Sequence, residues 1–143
     1  MGRPLVADTG GLLRALARKT SGEPAWPDFE RALRDASRIV VPSLVLAEVD
    51  YFLRDLRPAM RTLCTELLDP DTTYELIPTE GADLARAVAL DEKFADLGLG
   101  LVDGMVAAVA ERMRVYRVLT IDHDDFGPLR IGERYHLRLQ IVP

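Results

Sequence analysis

The sequence predicts an α/β fold in which helices cover both faces of a five-stranded parallel sheet. Three observations predict it. Short apolar, β-branched runs recur along the chain, helical patterns separate them, and the first runs are uniformly apolar rather than alternating. Uniform apolarity is the mark of strands buried on both faces, as parallel strands between helical layers are. The 143 residues fit one compact domain, 1–143, and no repeat or Gly/Ser linker divides them.

The elements follow in order. Leu5-Val6-Ala7 is the first strand, and Asp8-Thr9-Gly10-Gly11 turns the chain out of it. Leu12, Leu13, Leu16 and Ala17 have helical spacing, so a helix runs to about Lys19, where Ser21-Gly22-Glu23-Pro24 breaks it. A second helix covers Phe29 to Ser37. Ile39-Val40-Val41 is the second strand, stopped by Pro42; Ser43 caps a helix through Leu56, and Pro58 starts another through Leu68. Tyr74–Ile77 is the third strand, Thr79 opens a helix to Leu97, and Gly98-Leu99-Gly100 separates it from a helix over Gly104–Arg114. Arg117–Ile121 is the fourth strand and Leu137–Val142 the fifth.

Composition narrows the classes. The chain is 48% hydrophobic and 29% charged, which is ordinary for a folded soluble domain and not for a disordered one. No apolar stretch approaches the roughly 20 residues of a membrane span, and the three-residue apolar run after Arg3 is too short for a secretory leader. Cys64 is the single cysteine, expected as a small core-filling thiol, so no internal disulfide is available. A cytoplasmic protein is expected. The net charge of −5 argues against nucleic-acid binding only at first sight, because bound cations reverse the field of an acidic site. Of the 18 basic residues only Lys19 and Lys93 are lysines; the arginines, Arg14, Arg18, Arg54, Arg57, Arg61 and Arg112 among them, suit phosphate contacts as well as solvated helix faces.

In a parallel α/β sheet, sites gather beyond the carboxyl ends of the strands. Asp8 follows the first strand directly and Asp122 follows the fourth, so both fall on that edge. Each alone reads equally well as a helix cap or a turn residue. Glu48 lies within an apolar stripe of Leu44, Val45, Val49, Phe52 and Leu56, where a lone carboxylate facing a core costs several kcal/mol unless partnered. Asp50, by contrast, is expected to pair with Arg54 on the solvent side, and Asp55 has no site character. Asp103 precedes Gly104-Met105-Val106-Ala107-Ala108 as a helix cap or a ligand. Four acids meeting in one place repel one another unless cations lie between them. A carboxylate set without His or Cys suits Mg²⁺ or Mn²⁺ over zinc, and such ions activate water and stabilise charge on a phosphate.

The segments Leu-Val-Ala-Asp-Thr-Gly-Gly-Leu-Leu (5–13), Pro-Ser-Leu-Val-Leu-Ala-Glu-Val (42–49), Asp-Leu-Gly-Leu-Gly-Leu-Val-Asp-Gly-Met-Val-Ala-Ala (96–108) and Leu-Thr-Ile-Asp-His-Asp-Asp-Phe (119–126) together resemble the PIN-domain family, in particular the VapC toxins of bacterial toxin–antitoxin pairs. The resemblance spans nearly the whole chain. It implies a PIN-like three-layer sandwich, Mg²⁺- or Mn²⁺-dependent cleavage of RNA, a homodimer, and inhibition by a cognate VapB-type antitoxin. By position it implies that Asp8, Glu48, Asp103 and Asp122 are the catalytic, metal-binding quartet, with Thr9 and Thr120 as supporting hydroxyls. One of Asp124 and Asp125 is implied as a further outer acid, with Asp124 preferred. Gly10 and Gly104 depart from the usual pattern, where Ser or Ala and Ala are commoner. Leu12, Leu16, Phe29 and Leu33 are candidates for an antitoxin-covered surface, or for core.

Other motifs lead nowhere. The stretch from Asp122 to Glu133 is not a calcium loop, since Phe126 fills a ligand position and a strand precedes it. Gly98 to Gly104 has the wrong spacing for a dinucleotide fingerprint, no Gly-x-Ser-x-Gly elbow exists, and His123 and His136 are expected at the surface. Trp26 is expected to pack over the first helices. A phospho-accepting receiver domain shares the architecture, but Pro78 follows the third strand where it needs an Asp, and neither lysine is placed for it. A PIN-like domain that binds RNA or a partner without cleaving is the remaining alternative.

Overall fold

The structure, a computed structural model, describes residues 2–143. The elements run β1 (Leu5–Ala7), α1 (Thr9–Leu16), α2 (Pro27–Asp35), β2 (Ile39–Pro42), α3 (Ser43–Phe52), α4 (Arg57–Leu68), β3 (Tyr74–Ile77), α5 (Gly81–Lys93), α6 (Leu101–Met113), β4 (Arg117–Leu119), α7 (His123–Phe126), β5 (Arg130–Ile131), β6 (Leu137–Arg138) and β7 (Gln140–Val142). The main sheet has five parallel strands, as expected, and their order is β3-β2-β1-β4-β7. Every residue of β1 and β2 is buried, which explains why these runs carry no polar alternation. α6 packs on β1 and β2, α5 lies along α6, and α1 packs against α2 and α3.

The strand order positions the site. From β1 the chain moves outward through β2 to β3, then crosses back and lays β4 on the opposite side of β1. Connections leaving β1 and β4 therefore diverge, and a crevice opens between their carboxyl ends, the usual place for an active site in such sheets.

Several boundaries differ from the expected ones, each for a physical reason. α1 stops at Leu16, not Lys19, because Ala17 is extended and Arg18 bridges Pro24, forming a small hairpin before α2. Neither Ser43 nor Thr79 caps a helix. The Ser43 hydroxyl instead accepts from the Thr79 amide at 3.0 Å and pairs with the Thr79 hydroxyl at 2.7 Å, tying the ends of β2 and β3 together. α3 ends at Phe52, and Phe52 and Leu56, expected in its buried stripe, are exposed. The helix expected over 79–97 is α5 followed by a separate 3₁₀ turn, Ala95–Leu97, which Gly98 closes at φ 61°. α6 begins at Leu101, three residues early, and β4 stops at Leu119. The segment 137–142 is two strands: Leu137–Arg138 pairs antiparallel with β5, then the buried Leu139 intervenes and Gln140–Val142 joins β4. Asp50 pairs with Arg57 at 2.7 Å, while Arg54 donates to the Tyr51 carbonyl and stacks on its ring.

Leu12 and Leu33 are core residues, whereas Leu16 and Phe29 are half-buried against it, so these four do not form an open surface. Cys64 is partly buried against the core, as expected. His123 and His136 are exposed. Among the described residues, no helix is long and apolar enough to cross a membrane.

Candidate metal centre

The crevice between β1 and β4 is an open cleft of about 420 Å³ whose lining includes Asp8, Thr9, Glu48, Asp103 and Asp122. All four acids singled out in the sequence meet there. Asp8 leaves β1 with its amide still bonded to the Leu119 carbonyl of β4, at 3.0 Å. It stands at the N-cap position of α1, but its carboxylate caps nothing. Its Oδ2 accepts instead from the Thr120 hydroxyl at 2.7 Å, and its Oδ1 is buried with no hydrogen-bond partner. Asp103 is likewise no cap: Gly100 holds that position, and Asp103 lies in the first turn of α6.

Asp122 does both. Its Oδ1 accepts from the Asp125 amide at 3.0 Å, capping α7, while its own amide donates to the Thr120 hydroxyl at 3.0 Å. Oxygens of Asp103, Asp122 and Asp125 lie within 4.8 Å of one another. Asp125 is thus the further acid that stands with Asp103 and Asp122. Asp124, preferred from the sequence, is exposed and outside this group. The signal that distinguishes them is spacing: on a one-turn helix, Asp125 at i+3 returns to the side of Asp122.

Glu48 does not lie where its place in the apolar stripe predicts. It is exposed rather than turned to the core, and what holds it at the cleft is the Thr9 hydroxyl, donating to Oε1 at 2.6 Å. Thr9 therefore orients Glu48, and Thr120 serves both Asp8 and the backbone of Asp122.

The acids perturb one another. Burial raises the Asp8 carboxyl above its ordinary value; the Thr120 bond opposes this, and the charges of Glu48 and Asp122 add to it. Burial is also the main cause for Asp103, pushed up to about 9, followed by a carboxyl–carboxyl hydrogen bond with Asp125 and the charges of Asp8, Asp122 and Asp125. Asp122 is raised as well, first by burial. A hard divalent cation fits this set on two counts. It would satisfy the orphaned Asp8 Oδ1, whose lost partner otherwise costs about 1–3 kcal/mol, and its charge would replace the protons that the crowded acids retain.

The PIN domain family model matches residues 5–128, from β1 to just past α7, and so takes in every acid of the cleft. The chain belongs to the PIN-domain family. As a PIN domain it is 26% identical over 127 residues to Ribonuclease VapC26 of Mycobacterium tuberculosis, covering 88% of this chain and 92% of that protein. Its fold is similar to that of Mycobacterium tuberculosis VapC20, a Sarcin-Ricin loop cleaving toxin, with TM-score 0.67 at 14% identity over 85% of this chain and 92% of the other. It is equally similar, at TM-score 0.67 and 19% identity, to a chain of a toxin–antitoxin complex from Klebsiella pneumoniae, covering 87% of this chain and 91% of that one.

Proposed function

We propose that this PIN domain cleaves RNA phosphodiester bonds with the help of Mg²⁺ or Mn²⁺ and is the toxin of a VapBC-type toxin–antitoxin pair, its whole chain acting as one unit. The observation that carries the reading is the meeting of Asp8, Glu48, Asp103 and Asp122 at the β1/β4 crevice around an unpartnered, buried carboxylate oxygen. Asp103, Asp122 and Asp125, whose oxygens lie within 4.8 Å of one another, form the tightest acid group, and on this reading Asp8 joins them as a ligand from the same cleft, with Glu48 at its rim. When bound, such an ion polarises a phosphate and makes water a stronger acid. The protein's own groups do the rest. Thr120 fixes the Asp8 carboxylate from one side and the Asp122 backbone from the other, and Thr9 holds Glu48 at the rim.

The same reading supplies its partners. A cognate antitoxin is supported by the related fold in a toxin–antitoxin complex and by an apolar groove of about 560 Å³ next to the acidic cleft, lined by Leu13, Leu16, Leu53, Leu56 and Leu63, with Leu13 common to both. A homodimer is supported by exposed Leu84 and Val88, one turn apart on α5, with Leu101 also exposed. On this reading, with RNA and an antitoxin as partners, the protein works in the cytoplasm.

Sequencing of RNA 5′ ends after brief induction tests the activity. Wild type and Asp50→Asn are expected to generate the same new ends, and Asp8→Asn none. Equal ends from all three, or from none, would leave the PIN-like binding domain without cleavage as the better account.

A further inference from the structure

We infer that Arg14, held over the Trp26 ring, grips a phosphate of the RNA backbone at the mouth of the acidic cleft. The inference rests on the ribonuclease reading and adds a substrate contact to it. Arg14 lies on α1 and is the single basic side chain among the residues lining the cleft with Asp8, Glu48, Asp103 and Asp122. A cation this close to four carboxylates is expected to pair with one of them. Among the described residues Arg14 joins no ion pair, whereas Arg31, Arg34, Arg38, Arg57, Arg86 and Arg112 all do.

Aromatic rings hold it instead. Its guanidinium carbon stands 3.9 Å from the centroid of the Trp26 ring and 5.3 Å from that of Phe29, and the two rings meet edge to face at 6.3 Å. Cation–π attraction to a ring uses no hydrogen-bond partner, so the N–H groups of the guanidinium fork remain available to a phosphate. Trp26 remains 44% exposed, so this platform is open to solvent and not sealed into the core. An all-acidic cleft repels a polyanion along the approach path, even with a cation at its centre. One fixed positive charge at the rim offsets that repulsion where the strand enters. The same stacking answers the expectation that Trp26 packs over the first helices: it does, through Arg14 and Phe29, yet keeps a free surface.

The experiment is binding of a fluorescein-labelled single-stranded RNA to the full-length wild-type chain, read by anisotropy over a series of NaCl concentrations at fixed Ca²⁺, used in place of Mg²⁺ so that the strand is bound and not cut. Arg14→Met is expected to weaken binding about tenfold and to reduce the slope of log K against log salt by about 0.7, the loss of one phosphate contact on a single strand. Arg14→Lys keeps the charge and is expected to keep the slope, with affinity reduced because lysine does not stack as a plane. Trp26→Leu is expected to weaken binding while preserving the slope, and Arg31→Gln, on the far side of α2, to change neither. Thermal melts of each variant identify any loss of fold. An unchanged slope and affinity in folded Arg14→Met overturns the Arg14 assignment alone. Absence of RNA binding at every salt concentration, with no cleavage by wild type, overturns both it and the ribonuclease reading.

Discussion

Thr120 has no exposed surface, and its one hydroxyl serves two acids: it donates to Asp8 Oδ2 and accepts from the Asp122 amide. Thr120→Val keeps the shape and removes both bonds. Loss of such a supporting contact is expected to lower metal affinity and cleavage about 10- to 100-fold, read by Mn²⁺ titration and single-turnover kinetics, with the fold intact by circular dichroism. At this scale the sequence was informative where position alone decides. Asp8 and Asp122 are legible because each follows a strand of a parallel sheet. Glu48 was found through a periodicity that the structure does not obey, since Phe52 and Leu56 of the same stripe are exposed and Glu48 faces the cleft through Thr9. The sequence does not show which of Asp124 and Asp125 lies nearer the other acids, because without the short helix α7 the i+3 return of Asp125 to Asp122 is invisible. Arg14 was one arginine among several. Its distinction is the company of Trp26, twelve positions away, and no local pattern contains it.

At the scale of elements, the site depends on how closely α1 approaches the end of β4. Gly11 makes that approach possible: a Cβ there would run into the Leu119 carbonyl and the Thr120 amide, both backbone. Gly11→Ala must push α1 away from β4, and overpacking of this kind costs about 1–3 kcal/mol. Urea unfolding is expected to show a loss in that range. Cleavage is expected to fall further than stability alone explains, because Asp8 and Thr120 sit on the two elements being separated. On the other side of the sheet, Arg112 grips the buried Asp83 with bonds of 2.8 and 2.9 Å, and Arg86 holds Glu111 with two of 2.9 Å, fastening α5 to α6. The pairs hold α6, and with it Asp103, in register. Asp83→Ala is expected to cost about 1–3 kcal/mol in the same urea assay, less than a fully buried pair because Arg112 still reaches solvent. The elements themselves were largely legible from apolar periodicity. Their ends were not, because Ser43 and Thr79 spend their hydroxyls on each other and the last strand changes partners at Leu139.

For the whole molecule, sheet order decides the function. The chain reverses direction across the sheet between β1 and β4, and acids separated by more than a hundred residues meet there. That convergence has a consequence for stability. Asp103 binds its proton more tightly in the folded chain, up to about 9, than in the unfolded one, where a carboxyl titrates near 4. The folded state therefore holds more protons across that interval, and stability falls as pH rises through it. With divalent ions chelated, the melting temperature is expected to be higher at about pH 6 than at about pH 8.5, and Asp103→Asn is expected to flatten the difference. Mn²⁺ is expected to stabilise most at the higher pH, where it displaces the fewest protons.

The most direct measurement is anomalous diffraction from a crystal of the full chain soaked in Mn²⁺. The account predicts a peak among the carboxylates of Asp8, Asp103 and Asp122, within coordination distance of Asp8 Oδ1, and no such peak in Asp8→Asn. Manganese bound elsewhere on the surface while this cleft stays empty, or bound equally well without the Asp8 carboxylate, would contradict it.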